Sequence, residues 1–315
     1  MIGLVAGGLS ACGEDSSTTA SSTPPPSAGA ASSITVAAAF YPIEEIVRTV
    51  GGDAVEVVDL TPAGGAPHDL ELSPRKVEQL QGADIIFFLG RGFQPSVEQA
   101  VAALPDDVVK VDLLDHVDLL PVTPQLAGTA GEVDGEVLAG NTDPHVWVDP
   151  ANMVTMAGVI EQVLADALPS EASRLAANAD AYETDLRQLD SDFSAQLAHC
   201  ESRTIVTSHR AFEYLAHHYD LTQIPIAGIS PDEEPDPASL EAVAAAARAD
   251  GVTTVFFEEQ VPRDLSETIA REIGATTDAL DPVETITQDR LDAGTTYLTI
   301  QRANLASLVQ ALRCG

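Results

Sequence analysis

Basic residues are scarce in this chain. Its 315 residues include 15 Lys and Arg against 49 Asp and Glu, which gives a formal net charge of −34 at pH 7. Proteins that bind nucleic acids need clustered Lys and Arg side chains to replace counterions on phosphates, so this balance argues strongly against a nucleic-acid partner. The acidic surface either serves solubility or raises the local cation concentration, and the sequence leaves both explanations open.

The chain also lacks a long hydrophobic run at its start. Residues 2–11 are apolar or small, but about 20 such residues are needed to cross a bilayer. The run ends in Leu-Ser-Ala-Cys-Gly, which is typical of the box where lipoprotein signal peptides are cut and the cysteine is lipidated. We therefore predict a signal peptide over residues 1–12 that ends at a lipidated Cys12, although no Lys or Arg precedes the apolar run. Residues 13–33, rich in Ser, Thr, Pro and Ala, are predicted to form a disordered tether.

Cysteine is rare as well, with three in the whole chain. Behind a lipidated Cys12, the folded part would lie at the extracytoplasmic face of the cell membrane, in an oxidising compartment. An even pair of cysteines in an exported domain is more often bridged than free. We predict a disulfide between Cys200 and Cys314, which would join the last helix to the start of the second half of the fold.

Apolar strand-like segments alternate with amphipathic helical segments from residue 34 onwards. Continuous apolar strands with helices between them indicate parallel sheets covered on both faces. Residues 170–198 contain no Gly or Pro, and their apolar positions keep to one helical stripe, which predicts a single long helix. The predicted fold is α/β with two lobes, residues 34–169 and 200–315, each with a mostly parallel sheet flanked by helices. A rigid helix over residues 170–199 joins them.

Histidine is infrequent, yet three of the seven lie in Pro- or Ser-flanked motifs beside strand-like runs. These are His68 in GAPHD, His145 in DPHVWVDP and His209 in TSHRAF, and Asp281 in LDP is a plausible fourth partner. Three imidazoles and a carboxylate complete a tetrahedral shell for Zn²⁺. Such ligands belong at strand ends, where open α/β sheets place ligands. The other histidines carry no functional prediction; His217 and His218 are expected on a solvated helix face.

Seven stretches together resemble one known family. They are residues 40–43 (FYPI), 67–74 (PHDLELSP), 83–84 (AD), 89–93 (LGRGF), 143–150 (DPHVWVDP), 208–215 (SHRAFEYL) and 257–258 (FE). In this order they are similar to the zinc- and manganese-binding solute-binding lipoproteins of ABC metal importers, the cluster A-I or cluster nine group. The resemblance covers residues 34–312.

The resemblance implies two lobes joined by a rigid helix, with metal ligands at His68, His145, His209 and Asp281. Three nitrogen ligands favour Zn²⁺ over the oxygen-preferring Mn²⁺, which stays the alternative cargo. Glu258 is a candidate to orient a ligand imidazole, with an ordinary strand-end carboxylate as the other interpretation. The implied partner is an ABC permease in the membrane, served by a lipid-anchored monomer. The His-rich loop of many zinc members is missing before His145.

Two other functions compete with metal delivery. A zinc hydrolase needs an open coordination position for water, whereas four protein ligands would fill this shell, and the chain has no His-Glu-x-x-His helix. We therefore expect no enzymatic activity. A surface adhesin-like lipoprotein is the other alternative, because a lipid anchor and a tether suit it equally well.

Overall fold

The computed structural model describes residues 33–122 and 141–315. The predicted signal peptide, Cys12 and nearly the whole predicted tether lie outside the described residues. Within the described part, no helix combines the length and the apolar character that a membrane crossing requires.

The first lobe is built on a parallel four-stranded sheet with the order β2-β1-β3-β4. Its strands are β1 (Ile34–Ala38), β2 (Val55–Asp59), β3 (Ile85–Phe88) and β4 (Val109–Asp112). β1 lies between β2 and β3, with Val36 opposite both Val57 and Ile85. Because helices cover both faces, the central strands are apolar on both sides, as the sequence predicted.

The second lobe repeats this arrangement with the order β6-β5-β7-β8, again all parallel. Its strands are β5 (Thr204–Thr207), β6 (Thr222–Pro225), β7 (Thr254–Phe257) and β8 (Thr276–Ala279). Two parallel sheets flanked by helices confirm the predicted α/β class.

Ten α-helices are found in the described residues. They are α1 (Tyr41–Gly51), α2 (Pro74–Gln81), α3 (Pro95–Ala102), α4 (Pro150–Ala167), α5 (Ala172–Leu197), α6 (Glu213–His218), α7 (Pro237–Ala249), α8 (Asp264–Ile273), α9 (Gln288–Asp292) and α10 (Tyr297–Ala311). Several begin at a side-chain cap followed by proline. Asp149, for example, accepts the backbone N–H of Ala151 at 2.9 Å and caps α4 directly after the His145 motif.

The long helix α5 lies between the lobes. Its 26 residues correspond to about 39 Å at 1.5 Å per residue. The buried stripe of α5 runs its full length and comprises Leu175, Ala179, Tyr182, Leu186, Leu189, Phe193 and Leu197. One large hydrophobic core extends from the first sheet along this stripe to α6 and α10, and a smaller core lies beneath α7 and α8.

The last helix returns to the first lobe and supports the segment that follows His145. The Tyr297 hydroxyl donates to the carbonyl of Trp147 at 2.8 Å, and Gln301 Nε2 donates to the carbonyl of Val148 at 3.0 Å. Both side chains are fully buried. α10 therefore fixes the backbone beside one candidate ligand although it is remote from it in sequence.

The predicted disulfide between Cys200 and Cys314 is present. The two cysteines are also paired with each other in an isolated antiparallel β-bridge, which joins the segment before β5 to the end of the chain. The bond thus joins the C-terminal end of α10 to the entry of the second sheet.

Candidate metal centre

His68 lies in the loop after β2 and is held there by neighbouring side chains. Gln94 Nε2 donates to the carbonyl of Pro67 at 3.3 Å and to Thr61 Oγ1 at 3.1 Å. The imidazole packs edge-on against Phe93, with ring centroids 4.9 Å apart, and His68 is 2% exposed. The loop thus holds the His68 imidazole in a buried position against the Phe93 ring.

His145 is oriented by Asp143, two residues earlier. Asp143 Oδ1 accepts the backbone N–H of His145 at 2.9 Å and its Nδ1–H at 2.8 Å. This pair of bonds fixes the tautomer and leaves Nε2 free to act as a ligand. The carbonyl of Asp143 in turn accepts the Tyr214 hydroxyl from α6 at 2.8 Å, so the second lobe supports this segment.

His209 follows β5 and is held in the same way by Glu258, which follows β7. Its Nδ1–H donates to Glu258 Oε1 at 2.5 Å, and the Ser208 hydroxyl donates to the same oxygen. Glu258 therefore lies where it can orient a ligand imidazole, the role suggested for it from the sequence. The carbonyl of His209 accepts from Thr207 Oγ1 at 2.7 Å and from Gln223 Nε2 at 3.0 Å.

The fourth acidic residue beside the three histidines is Glu284, while Asp281, predicted as the fourth ligand, is not part of this group. The group of residues that could hold a metal is His68, His145, His209 and Glu284. Both oxygens of Asp281 are engaged elsewhere: Oδ1 accepts the backbone N–H of Val283 at 2.8 Å, and Oδ2 accepts from Arg290 Nη1 at 2.7 Å. Burial raises the pKa of Asp281 above its usual value, and the Arg290 guanidinium offsets this effect only in part.

The four ligand atoms converge on one point between the lobes. His145 Nε2 lies 3.3 Å from His68 Nε2, and Glu284 Oε1 lies 3.7, 3.3 and 3.0 Å from the Nε2 atoms of His68, His145 and His209. Zn–ligand distances of about 2.0–2.1 Å in a tetrahedron place neighbouring ligand atoms about 3.3 Å apart. All four atoms lie within 4.8 Å of one another, so the set fits a zinc-sized tetrahedral site.

Charge in the cluster is set by the carboxylates around His209. Burial alone would lower the pKa of His209, but Glu258 and Glu284 outweigh this and raise it well above its usual value. Burial alone would likewise raise the pKa of Glu284, yet His209 and the hydrogen bonds from the histidines hold it well below its usual range. Both pKa shifts favour a charged pair between His209 and Glu284, whose Nε2 and Oε1 atoms lie 3.0 Å apart.

A cavity of about 70 Å³ adjoins the cluster. Its lining includes Gly64 and Pro67 from the first lobe and Glu258, Asp281 and Glu284 from the second. A cation in this cavity would face carboxylates on the second-lobe side. The lobes also touch here, because the backbone N–H of Gly64 donates to the carbonyl of Ile286 at 2.8 Å.

The structure brings together the three histidines of the sequence motifs, and it adds two carboxylates, Asp143 and Glu284, that the sequence analysis did not single out. Asp143 had a usable signal, because an acidic residue two positions before a candidate ligand can accept its Nδ1–H. The only sequence signal for Glu284 was its position three residues after Asp281. His218 is exposed, as expected for it, and its Nδ1 also lies 2.9 Å from Asp149 Oδ1.

The chain is similar in sequence to known zinc-uptake proteins. Residues 36–311 match the family described as "ZnuA: Zinc-uptake complex component A periplasmic". The zinc-binding lipoprotein AdcA of Streptococcus pneumoniae (strain ATCC BAA-255 / R6) is 31% identical over 276 residues, covering 87% of this chain and 55% of AdcA. The chain therefore spans about half the length of that relative. The high-affinity zinc uptake system protein ZnuA of Bacillus subtilis (strain 168) is 29% identical over 280 residues, covering 88% of this chain and 87% of that protein.

Solved structures extend the likeness to three dimensions. The crystal structure of the Zn(II)-bound ZnuA-like domain of S. pneumoniae AdcA aligns with a TM-score of 0.75 at 29% identity. The alignment covers 89% of this chain and 99% of that domain. The two-lobed architecture is therefore common to both proteins.

Proposed function

Because the chain belongs to the ZnuA family of periplasmic zinc-uptake components, we propose that it binds Zn²⁺ outside the cytoplasm and delivers it to an ABC-type importer. The observation that carries this proposal is the convergence of three imidazole nitrogens and one carboxylate oxygen on one buried point. The first lobe supplies His68 and His145, and the second supplies His209 and Glu284.

The donor set favours zinc over manganese. Imidazole nitrogen suits the borderline-soft Zn²⁺, whereas Mn²⁺ prefers carboxylate, carbonyl and water oxygens. Glu284 is the one carboxylate in the set, because Asp281 is bound to Arg290. Asp143 and Glu258 accept the Nδ1–H groups of His145 and His209, and a bond of this kind also raises the basicity of the ligand nitrogen.

The site is suited to binding rather than to catalysis. A catalytic zinc keeps an open position for water, whereas four protein ligand atoms complete a tetrahedron. The side chains of the cluster are at most 6% exposed, so bulk water has little access to a bound ion.

Shared ligation between two lobes suits capture and release. A metal held by two ligands from each lobe stabilises the closed arrangement, and separating the lobes would dismantle the shell. Direct contacts reinforce closure: Trp147 Nε1, two residues after His145, donates to the carbonyl of Pro282 at 2.8 Å, two residues before Glu284.

The proposed setting is the outer face of the cell membrane, with the monomer anchored through Cys12 and an ABC permease as its partner. A zinc-binding lipoprotein among the relatives supports the anchor, and the disulfide agrees with an oxidising compartment. Delivery then requires the protein to release its zinc ion when it is bound to the permease.

Competitive titration of the metal-free protein tests the proposal. We expect one equivalent of Zn²⁺ to bind, and Mn²⁺ in excess to displace it poorly, because Mn²⁺ stands lowest in the affinity order for such ligands. A chromophoric chelator of known affinity supplies the readout. Binding of Mn²⁺ at least as tight as that of Zn²⁺ would assign the protein to manganese uptake. Turnover of model ester or peptide substrates by the zinc-loaded protein would contradict a pure binding role.

Zinc affinity should fall as the pH falls. The raised pKa of His209 means that metal-free protein carries a proton on Nε2 at neutral pH, and zinc must displace it. About one proton should therefore leave per zinc bound at pH 7, and the dissociation constant should rise about tenfold per unit of acidification. Calorimetry in buffers of different ionisation enthalpy counts the protons. The exposed-histidine variant His116→Ala should release the same number, and binding without proton release would refute the charged His209–Glu284 pair.

A further inference from the structure

Glu284 reaches the site from a strained turn. Val283, directly before it, has φ of +61° and is fully buried. A β-branched residue in this left-handed region is a true outlier, and its backbone is strained. Strain of this kind persists only where the surroundings fix the backbone, so the contacts that hold this turn determine where the Glu284 carboxylate lies.

Asp281 provides the first of these contacts. Its Oδ1 accepts the N–H of Val283 at 2.8 Å, which closes the turn from within. The backbone of Asp281 is held by Asn304 of α10, which accepts its N–H at 2.9 Å and donates to its carbonyl at 2.7 Å. The start of the turn is therefore fixed to a helix that also supports the His145 segment.

Arg290 holds the Asp281 carboxylate in place. Nη1 lies 2.7 Å from Asp281 Oδ2 and 3.7 Å from Glu259 Oε2. The helix α9, which starts where Thr287 Oγ1 accepts the N–H of Arg290, sets the position of this side chain. Because Arg290 bonds to one oxygen of Asp281 and the Val283 N–H to the other, both oxygens are engaged at the turn, and Asp281 is not part of the histidine group.

We propose that Arg290 is a positioning residue for the metal site: through Asp281 it fixes the turn that aims Glu284 at the three histidines. Arg290 touches no ligand atom in the cluster and acts only through this turn. The inference rests on the proposed zinc-binding function and adds to it the residue that decides which of two nearby carboxylates becomes the ligand.

A double-mutant cycle on the whole chain tests this mechanism. The variants are Arg290→Met, Glu284→Ala and the two combined, with zinc affinity measured by chelator competition. Loss of a group that bonds a metal ligand typically costs about 10- to 100-fold in affinity; Arg290 acts one contact further out, so we expect about a tenfold loss for Arg290→Met in the otherwise unchanged protein. In the Glu284→Ala background, Arg290→Met should lower zinc affinity by less than about twofold, because the ligand through which Arg290 acts is absent.

Two further variants separate positioning from general damage to the fold. Glu259→Gln removes the other, exposed partner of Arg290 and should leave zinc affinity unchanged. Arg290→Lys keeps a cation near Asp281 and should therefore retain part of the zinc affinity that Arg290→Met loses. This variant can still be measured if Arg290→Met does not fold. An equal loss from Arg290→Met with and without Glu284 would overturn the proposal, as would no loss at all. Failure of the unsubstituted protein to bind zinc would instead refute the proposed function.

Discussion

The double variant His68→Ala/His209→Ala is expected to lose tight zinc binding, with affinity falling about 10⁴-fold or more. Four-ligand zinc sites have apparent binding free energies of about 10–16 kcal/mol, and this change removes half of the ligands, one from each lobe. A loss of about 5–8 kcal/mol corresponds to about four to six decades in the dissociation constant. A zinc ion bound by the remaining pair, His145 and Glu284, would have to complete its shell with water.

The matched control is His116→Ala/His217→Ala, which also removes one histidine from each lobe. Both of these side chains are exposed and neither belongs to the cluster. Zinc affinity should be unchanged in this control, which separates loss of ligation from loss of imidazole in general. If the His68/His209 variant still bound one zinc with the affinity of the unsubstituted protein, the site assignment would be wrong.

Removal of the disulfide by Cys200→Ala/Cys314→Ala is expected to lower the free energy of unfolding by about 2–5 kcal/mol. The bond joins residues separated by 114 positions. In the chain-entropy account, a bridge over so long a loop restricts the unfolded chain strongly, and its loss makes unfolding correspondingly easier. Urea denaturation of the two proteins under non-reducing conditions measures the difference.

A reducing agent provides the internal control for the disulfide. It should destabilise the unsubstituted protein by about the same amount and have no effect on the Cys200→Ala/Cys314→Ala variant. A difference below about 0.5 kcal/mol between the two oxidised proteins would mean that the bond does not constrain the unfolded chain.

Much of the architecture followed from patterns that are local in the chain. Continuous apolar strands predict sheets covered on both faces, and both sheets are parallel. The absence of Gly and Pro over residues 170–198, with an apolar stripe, predicted a helix that occupies Ala172–Leu197. The three histidine motifs were equally local, because each places a ligand beside a turn or a strand end.

The fourth ligand could not be read from local pattern in the same way. Asp281 and Glu284 are both acidic, and they lie on opposite sides of Pro282. Neither the residue type nor the nearness to a turn therefore distinguishes the two. In the proposed arrangement, the choice depends on Arg290, which bonds to Asp281, and on Val283, which has a left-handed backbone conformation. These are tertiary facts, and a β-branched residue gives no sequence signal for a positive φ.

His218 shows the same limit on the surface of the fold. His218 is exposed, as its position on a short helix predicts, but its ring also stacks on Tyr219 and bonds to Asp149 of the first lobe. The hydrogen bond from Asp149 raises the pKa of His218, and Asp190 of α5 also contributes. Partners from two remote elements decide the environment of this residue, and their approach is not encoded near His218 in the sequence.

The most direct test of the central claim is anomalous X-ray diffraction from crystals of the zinc-loaded protein, recorded on both sides of the zinc absorption edge. We expect one strong anomalous peak within about 2.0–2.2 Å of His68, His145, His209 and Glu284, with Asp281 still bound to Arg290. A peak coordinated by Asp281 in place of Glu284, or a zinc ion bound away from the three histidines, would contradict the account.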